Sequence, residues 1–147
     1  MKNKGFTVIE LIVVVIIIGV LTALLIPAFR AVFVKGRLEQ ARNEVVALYQ
    51  RASRYATNEG VNYLLEIDVD SDLLRCMREG VATVRDSLVL LPELDLSNTV
   101  GATSTFTLQA DGFVRGNTRG FSIYDDETNK TLEFYISPLG VMEVNKE

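Results

Sequence analysis

Few residues in this chain could do chemistry, and one carboxylate stands out because of its surroundings. The chain contains no histidine and a single cysteine, Cys76. Ser-His and Cys-His nucleophilic catalysis and histidine metal sites are therefore excluded, and no intrachain disulfide can form. Glu10 lies inside an otherwise apolar segment, where a carboxylate costs about 2.5–3.5 kcal/mol on insertion scales. Such a group is usually paired and functional, although a position at the membrane interface would also tolerate it.

The segment around Glu10 has the length and composition of a membrane-spanning helix. A spanning helix needs about 20 largely apolar residues, and residues 6–29 supply that length with Glu10 as their one charge. Lys2 and Lys4 precede the segment, which favours a cytoplasmic N-terminus and an extracytoplasmic position for the rest. Basic residues also follow the segment, from Arg30 onward, so the charge bias is mixed. The end of the apolar run is a poor secretory cleavage site.

Residues 4–11, Lys-Gly-Phe-Thr-Val-Ile-Glu-Leu, resemble the prepilin signature of type IV pilins, type II secretion pseudopilins and competence pilins. In that family a prepilin peptidase cuts after the glycine, and the new N-terminal residue is N-methylated. The resemblance therefore implies cleavage after Gly5, a methylated Phe6, and Glu10 as the family's buried glutamate. It also matches Pro27 to the helix-kinking proline near the end of the apolar run.

The resemblance further implies a partner for the Glu10 carboxylate. Cleavage would leave a free α-amine at Phe6, a group that is normally protonated near neutral pH, and methylation keeps it basic. Glu10 of one subunit can then neutralise the Phe6 amine of a neighbour inside an apolar filament core, where an unpaired carboxylate is penalised. The implied partners are other pilins or pseudopilins, the prepilin peptidase and an inner-membrane assembly platform. No cofactor and no catalytic residue is expected.

The helix that positions these residues is predicted to continue beyond the membrane. Apolar residues recur at three- and four-residue spacing along one face: Leu38, Ala41, Val45, Leu48, Ala52 and Tyr55. This amphipathic stripe predicts a helix over residues 6–58 that packs on the rest of the chain. Gly60 is the predicted stop signal.

The remainder of the chain carries strand and turn signals. Strands are predicted, from alternation and β-branched or aromatic content, at 63–69, 73–79, 81–91, 106–110, 121–124, 132–136 and 141–144. Glycine, proline and asparagine mark turns between several of them, and the polar stretch 92–105 predicts a surface loop. The expected class is α+β: a long N-terminal helix, transmembrane in its first half and amphipathic in its second, packed against antiparallel sheets of a small head.

A second resemblance concerns the C-terminal part of the chain. The segments 106–112, 121–123 and 132–144, the last with a Pro-Leu-Gly turn, look like the C-terminal pattern of the general secretion pathway protein H and FimT/FimU group of minor pilins. The chain lacks the C-terminal cysteine pair of many major pilins. Together the two resemblances imply a minor pilin or pseudopilin.

Four parts are predicted along the chain: a leader 1–5, a membrane and filament-core helix 6–29, a neck helix 30–59 and an extracytoplasmic β-rich head 60–147. Up to residue 59 the chain has eight basic and four acidic residues, and from residue 60 it has seven basic and fifteen acidic residues. A basic neck joined to an acidic head argues against a nucleic-acid binder. The expected location is the inner membrane, with a single span and the head periplasmic or extracellular.

A calcium site is one alternative interpretation of the acidic residues near the start of the head. Asp68, Asp70 and Asp72, with Glu79 eleven residues after the first of them, have the ligand spacing of a calcium loop. That loop needs glycine at its sixth position, where this chain has Leu73. A solvated acidic turn is the simpler interpretation.

A DNA contact is a second alternative, and it rests on two arginines. Arg115 and Arg119 flank a Gly-Asn-Thr turn and could touch DNA phosphates, but two cations are few for strong phosphate binding. The acidic run 125–127 predicts a charged hairpin turn, and Cys76 is predicted to be a small buried hydrophobe.

The sequence thus predicts a structural subunit of a type IV pilus-like filament rather than an enzyme. The signature is common to type II secretion, pilus biogenesis and twitching, and DNA uptake, and all three stay open. The rival hypothesis is a permanently anchored single-pass membrane protein whose extracytoplasmic β domain binds a ligand or partner. That rival predicts an uncut N-terminus and a dispensable Glu10.

Overall fold

The computed structural model describes residues 7–98, 103–115 and 120–146. At 27, 28, 30–32, 34, 35, 98, 103 and 104 it describes the backbone alone. The chain falls into two compact units, residues 1–36 and 37–147. One helix, α1 (Val8–Glu59), is found in the described residues and contributes to both units. Its predicted limits of 6–58 were therefore close to those observed.

The C-terminal end of α1 is fixed by local backbone chemistry. Gly60 follows the last helical residue with φ of 65°, a left-handed conformation that glycine adopts without the steric cost of a Cβ. The N–H of Val61 donates to the carbonyl of Ala56 at 3.3 Å, which is the six-to-one bond of a Schellman motif. The prediction of Gly60 as the helix stop is confirmed.

Nine strands follow in the described part of the chain and form two antiparallel sheets. Their bounds are β1 (Tyr63–Asp68), β2 (Leu73–Arg78), β3 (Val84–Val89), β4 (Leu94–Asn98), β5 (Thr103–Leu108), β6 (Val114–Arg115), β7 (Gly120–Asp125), β8 (Lys130–Ile136) and β9 (Met142–Lys146). The five-stranded sheet has the order β3-β2-β1-β5-β6, and the four-stranded sheet has the order β4-β7-β8-β9. The α+β prediction is confirmed.

One hydrophobic core is shared by the helix and both sheets of the unit 37–147. From α1 it takes the predicted stripe as far as Ala52, joined by Tyr49 and Ala56, while Tyr55 is only half-buried. In the four-stranded sheet Phe121 and Phe134, which are cross-strand partners, stack with ring centroids 4.7 Å apart. Alternation of buried and solvent-facing residues sets the register of these strands, since a one-residue slip would turn every core side chain outward.

The predicted surface loop 92–105 is wrong at 94–98, which form β4, and at 103–105, which begin β5. It contains β4, in which Leu94 and Leu96 are buried against the core and the whole strand pairs with β7. Two apolar residues two positions apart are enough for an edge strand when the neighbouring strand supplies the partner bonds. The two-residue strand β6 was also missed, and β3 begins later than predicted because Gly80 (φ 79°) opens an irregular connection after β2.

Candidate functional site

The first unit presents an apolar surface with nothing from the described residues covering it. Val8–Ile26 has a mean hydropathy of 3.1 and is not buried at all, and by length and composition it could cross a membrane. Each aliphatic side chain of this kind gains roughly 1.5–3 kcal/mol on burial. Exposing the whole span to water would therefore cost on the order of tens of kcal/mol, so either lipid or other protein must cover it.

Glu10 lies in the first turn of α1, where it closes a capping box with Thr7. The backbone N–H and the hydroxyl of Thr7 both donate to Glu10 Oε2 at 2.9 Å, and the Glu10 N–H donates to Thr7 Oγ1 at 3.3 Å. This reciprocal pattern satisfies two helix-terminal donors and a carboxylate at once. The Thr-x-x-Glu spacing was visible in the sequence, but its capping role was not recognised there. Within a single chain, Glu10 is therefore already hydrogen-bonded.

The other predicted N-terminal site residues are described only in part. Gly5 and Phe6 lie outside the described residues. Pro27 lies inside α1, and because proline has no backbone N–H, the carbonyl four residues earlier cannot receive a helical hydrogen bond from it. The predicted kink stays a prediction.

The strongest polar contact between neck and head was missed by the sequence analysis. Arg37, 17% exposed, reaches Glu127 at hydrogen-bond distance, Asp125 at 3.6 Å and Glu93 at 3.7 Å. The Asp125 side chain is fully buried, and its Oδ1 also accepts the N–H of Glu127 at 3.0 Å. The hairpin turn predicted at 125–127 is present, but its first residue is a buried anion rather than a solvated one. Contacts between residues 90 positions apart leave no local sequence pattern.

Among the further ion pairs between the neck helix and the head, two involve Arg51 and Glu39 of α1. Arg51 donates to Asp86 at 2.6 Å, and this hydrogen bond raises the pKa of the guanidinium. Lys146 lies 2.7 Å from Glu39, and lowers the pKa of that carboxylate. Because these side chains are largely exposed, the pairs contribute little stability, but they match the helix to both sheets in register.

The predicted calcium ligands do not converge, beginning with the two at the end of β1. The Arg75 guanidinium donates to Asp68 Oδ2 at 2.8 Å. The pKa of Asp68 is lowered, first by the hydroxyl of Ser71 and also by Arg75. Asp70 lies in the following turn and is exposed. Asp68 is thus neutralised by an arginine rather than held open for a cation.

The remaining two carboxylates of that set also have protein partners. Asp72 adopts φ of 47° and accepts the N–H of Leu96 at 2.8 Å. Glu79 accepts the side-chain amide of Asn62 at 2.7 Å. Across residues 7–98, 103–115 and 120–146, no group of three or more acidic or cysteine side chains lies close enough to hold a metal ion. The structure therefore gives Asp68, Asp72 and Glu79 separate protein partners and leaves Asp70 in an exposed turn.

The predicted DNA-contact pair can be followed for one member. Arg115 lies exposed on β6, opposite Thr107 of β5, and Arg119 lies outside the described residues. Cys76 is fully buried on β2, as predicted. Burial raises the pKa of its thiol to about 11, so the thiolate that would be needed for reactivity is suppressed.

Comparisons with known proteins give one family match and two curated relatives. Residues 1–26 match the family described as the prokaryotic N-terminal methylation motif. The chain is 34% identical over 73 residues to the type II secretion system core protein G of Escherichia coli (strain K12), covering 44% of this chain and 50% of that protein. It is 44% identical over 48 residues to the type IV major pilin protein PilA of Myxococcus xanthus (strain DK1622), covering 33% of this chain and 22% of that protein. The chain thus spans half or less of these curated relatives.

The fold was compared separately with solved structures. It is similar to the minor pseudopilin EpsH from the type 2 secretion system of Vibrio cholerae, with a TM-score of 0.53 and 17% identity, over 71% of this chain and 95% of that chain. At this identity the likeness shows a shared fold.

The methylation motif over residues 1–26, the exposed apolar span Val8–Ile26 within it and the pseudopilin-like fold make this chain similar to type IV pilins and pseudopilins. The recognition made from residues 4–11 is therefore confirmed, and its extension to the minor pseudopilin group agrees with the fold likeness. Pilins and pseudopilins are structural rather than enzymatic families, and an N-terminal apolar helix of this kind indicates membrane anchoring.

Proposed function

We propose that this chain is a minor pilin or pseudopilin: a subunit that is stored in the inner membrane, processed, and assembled into a type IV pilus-like filament. The observation that carries the proposal is the span Val8–Ile26, apolar and fully uncovered, which lies within the methylation motif of residues 1–26. Such a surface needs lipid before assembly and other copies of the same surface afterwards. The filament serves type II secretion, pilus biogenesis or DNA uptake.

Processing is proposed to follow the family chemistry at the N-terminus. A prepilin peptidase would cut after Gly5, and the amine of Phe6 would be methylated. The head would then lie on the extracytoplasmic side, since Lys2 and Lys4 favour a cytoplasmic N-terminus. Other pilins or pseudopilins and an inner-membrane assembly platform are the proposed partners.

Mass spectrometry of the N-terminal peptide tests the processing step. The full chain is expressed in membranes with an active prepilin peptidase, and a catalytically inactive peptidase provides the matched control. We expect a peptide beginning at methylated Phe6 with the active peptidase alone. A chain that still begins at Met1 beside an active peptidase would contradict the proposal and favour a permanently anchored binding protein.

The proposed pairing of Glu10 with a neighbour's amine is tested by separating its charge from its cap. Glu10→Gln retains the capping box, in which glutamine also serves, but removes the charge. Thr7→Val keeps the charge and removes the hydroxyl, which costs the helix start about 1 kcal/mol. We expect Glu10→Gln to insert and be cleaved, but to enter filaments about tenfold less, the factor equivalent to roughly 1.4 kcal/mol.

The same experiment distinguishes the two roles of Glu10. Thr7→Val should assemble close to the wild-type level, because the carboxylate remains available. Filament yield is measured by shearing and immunoblotting, normalised to the membrane pool. Loss of assembly in Thr7→Val together with normal assembly of Glu10→Gln would show that helix capping, not charge pairing, is the assembly requirement.

A further inference from the structure

The outer edge of the five-stranded sheet is open and apolar. Within the described residues, β3 pairs with β2 alone, so its outer backbone groups have no strand partner. Val84 and Val89 are exposed on it, the latter to 68%, and Leu91 follows at 40%. Native edges are usually protected by charge or by a covering segment. An edge strand of the other sheet, β9, carries Glu143 and Lys146 and fits that rule. The two charges of β3, Arg85 and Asp86, lie together near its start, and the strand still presents two exposed valines.

A β-bulge reshapes one end of this edge. Cys76 pairs with Asp86 but Met77 pairs with Val84, so Arg85 is an extra residue in β3. Bulges re-aim a side chain and concentrate at sheet edges and functional sites. Here the guanidinium of Arg85 lies 4.6 Å from the centre of the Tyr55 ring.

The re-aimed arginine is held by a second contact. Arg85 reaches Glu59 at 2.9 Å, and the other carboxylate oxygen of Glu59 accepts the Tyr63 hydroxyl at 2.8 Å. A cation over an aromatic ring and an ion pair together fix the guanidinium in place. The bulge is therefore a built feature with its own supporting contacts.

Beside the bulge lies a cavity of about 370 Å³, large enough for a side chain with its backbone. It is lined by Tyr63, Arg78, Val81, Thr83, Val84 and Arg85. Ligand sites of this size are typically apolar with a few converging polar groups. Arg78 forms no ion pair with any carboxylate in the described part of the chain, whereas Arg85 already has Glu59. One unpaired guanidinium thus faces a cavity with valine walls.

Charge makes this cavity unusual in the head. Residues 60–147 carry fifteen acidic and seven basic residues, yet the cavity lining contains two arginines and no carboxylate. An acidic ligand is therefore favoured here and would be repelled over much of the remaining head surface.

We propose that the β3 edge binds an extended segment of a partner protein that alternates apolar and acidic residues. The segment adds to β3 as a strand, one carboxylate pairs with Arg78, and an apolar side chain enters the cavity beside Val81 and Val84. Strand addition supplies backbone hydrogen bonds, and the alternate side chains supply specificity. The inference does not depend on polymerisation, because β3 and the cavity lie in the unit 37–147 and not in the apolar span.

A synthetic probe tests the proposal on the full chain in dodecyl maltoside micelles. The probe is a fluorescein-labelled Val-Glu-Val-Glu-Val peptide with a C-terminal amide, and binding is followed by anisotropy. The matched control peptide has lysine in place of glutamate. We expect the acidic peptide to bind and the basic peptide not to bind. Valine-methyl NMR should then show shifts at Val84 and Val89.

Two variants with the same charge change separate the cavity from general electrostatics. Arg78→Gln should weaken binding of the acidic peptide about tenfold, the usual loss for one charge-assisted contact. Arg54→Gln changes an exposed arginine of α1 that does not line the cavity, and it should leave binding unchanged. Equal binding by both variants, or by both peptides, would overturn the proposal.

Other occupants give distinct results. If free glutarate displaced the probe at the same concentration as unlabelled peptide does, the cavity would be a site for a small carboxylate, and the proposed strand addition would be overturned. Shifts at Val84 and Val89 that grow with protein concentration in the absence of peptide would assign the edge to a second copy and overturn it as well.

Discussion

Replacing Arg37 by methionine should destabilise the head more than a substitution on the surface of a helix usually does. The methionine keeps most of the apolar stem but leaves three carboxylates, among them the fully buried Asp125, without their shared cation. Breaking a buried ion pair by removing one partner costs about 3–5 kcal/mol. Asp125 keeps the N–H groups of Glu127 and Thr128 at 3.0 and 3.4 Å, so we expect the lower end of that range, about 3 kcal/mol.

The companion variant Asp125→Asn should cost less, about 1 kcal/mol. The amide oxygen can still accept the turn N–H groups, no buried charge remains, and Arg37 retains Glu127 and Glu93. The double variant Arg37→Met/Asp125→Asn should therefore be more stable than Arg37→Met alone, because the second change removes the orphaned charge.

Urea unfolding in micelles, followed by tyrosine fluorescence, measures these differences. The chain has no tryptophan, and all five tyrosines lie in the unit 37–147, so the signal reports on the head. Arg42→Met is the matched control, since Arg42 is 45% exposed with only a 3.8 Å contact to Glu39, and it should change stability by less than about 0.5 kcal/mol. Equal midpoints for Arg37→Met and Arg42→Met, or a double variant less stable than Arg37→Met, would refute the reasoning.

Three further predictions use the same unfolding assay or thiol labelling. Gly140→Ala should lower the free energy of unfolding more than Gly80→Ala. Both positions have positive φ, which costs a residue with a Cβ about 1–2 kcal/mol, but a Cβ at Gly140 would also clash with a backbone carbonyl, whereas Gly80 has open space. Equal losses of stability would contradict this. Gly120→Ala should disrupt the β7–β8 pairing, since its Cβ would meet the carbonyl of Phe134, and unchanged stability would count against it. Cys76 has a folded pKa of about 11 against 9.0 for the free thiol, so it should resist thiol reagents at pH 8 until the head unfolds, and rapid labelling of the folded chain would contradict its burial. Because the folded pKa is the higher one, the contribution of this thiol to the free energy of unfolding is present below pH 9 and should be lost as the pH rises towards 11.

The sequence was informative where structure depends on neighbours along the chain. The stripe from Leu38 to Ala52 and the stop at Gly60 follow from helical periodicity and from the freedom of glycine at positive φ, and both were predicted. The capping box of Thr7 and Glu10 was equally local, but the cost of the charge drew the interpretation towards a partner in another subunit.

The features that were missed depend on residues far apart in sequence. β4 has only two inward residues, and it becomes a strand because β7 lies beside it. The contact of Arg37 with Asp125 joins α1 to the end of β7, and no periodicity reports on it. The bulge at Arg85 depends on the register between β2 and β3, which turn residues alone do not set. Tertiary pairing therefore decided these details.

The capping box changes the state from which Glu10 enters a filament. In an isolated chain its carboxylate is already solvated by Thr7, so a reserve of unassembled subunits can remain in the bilayer without a bare anion in hydrocarbon. In the proposed filament, the Glu10 carboxylate then exchanges its hydrogen bonds with Thr7 for an ion pair with a neighbour's amine. Glu10 then contributes to the free energy of assembly only the difference between its two partners, and not the whole energy of an ion pair.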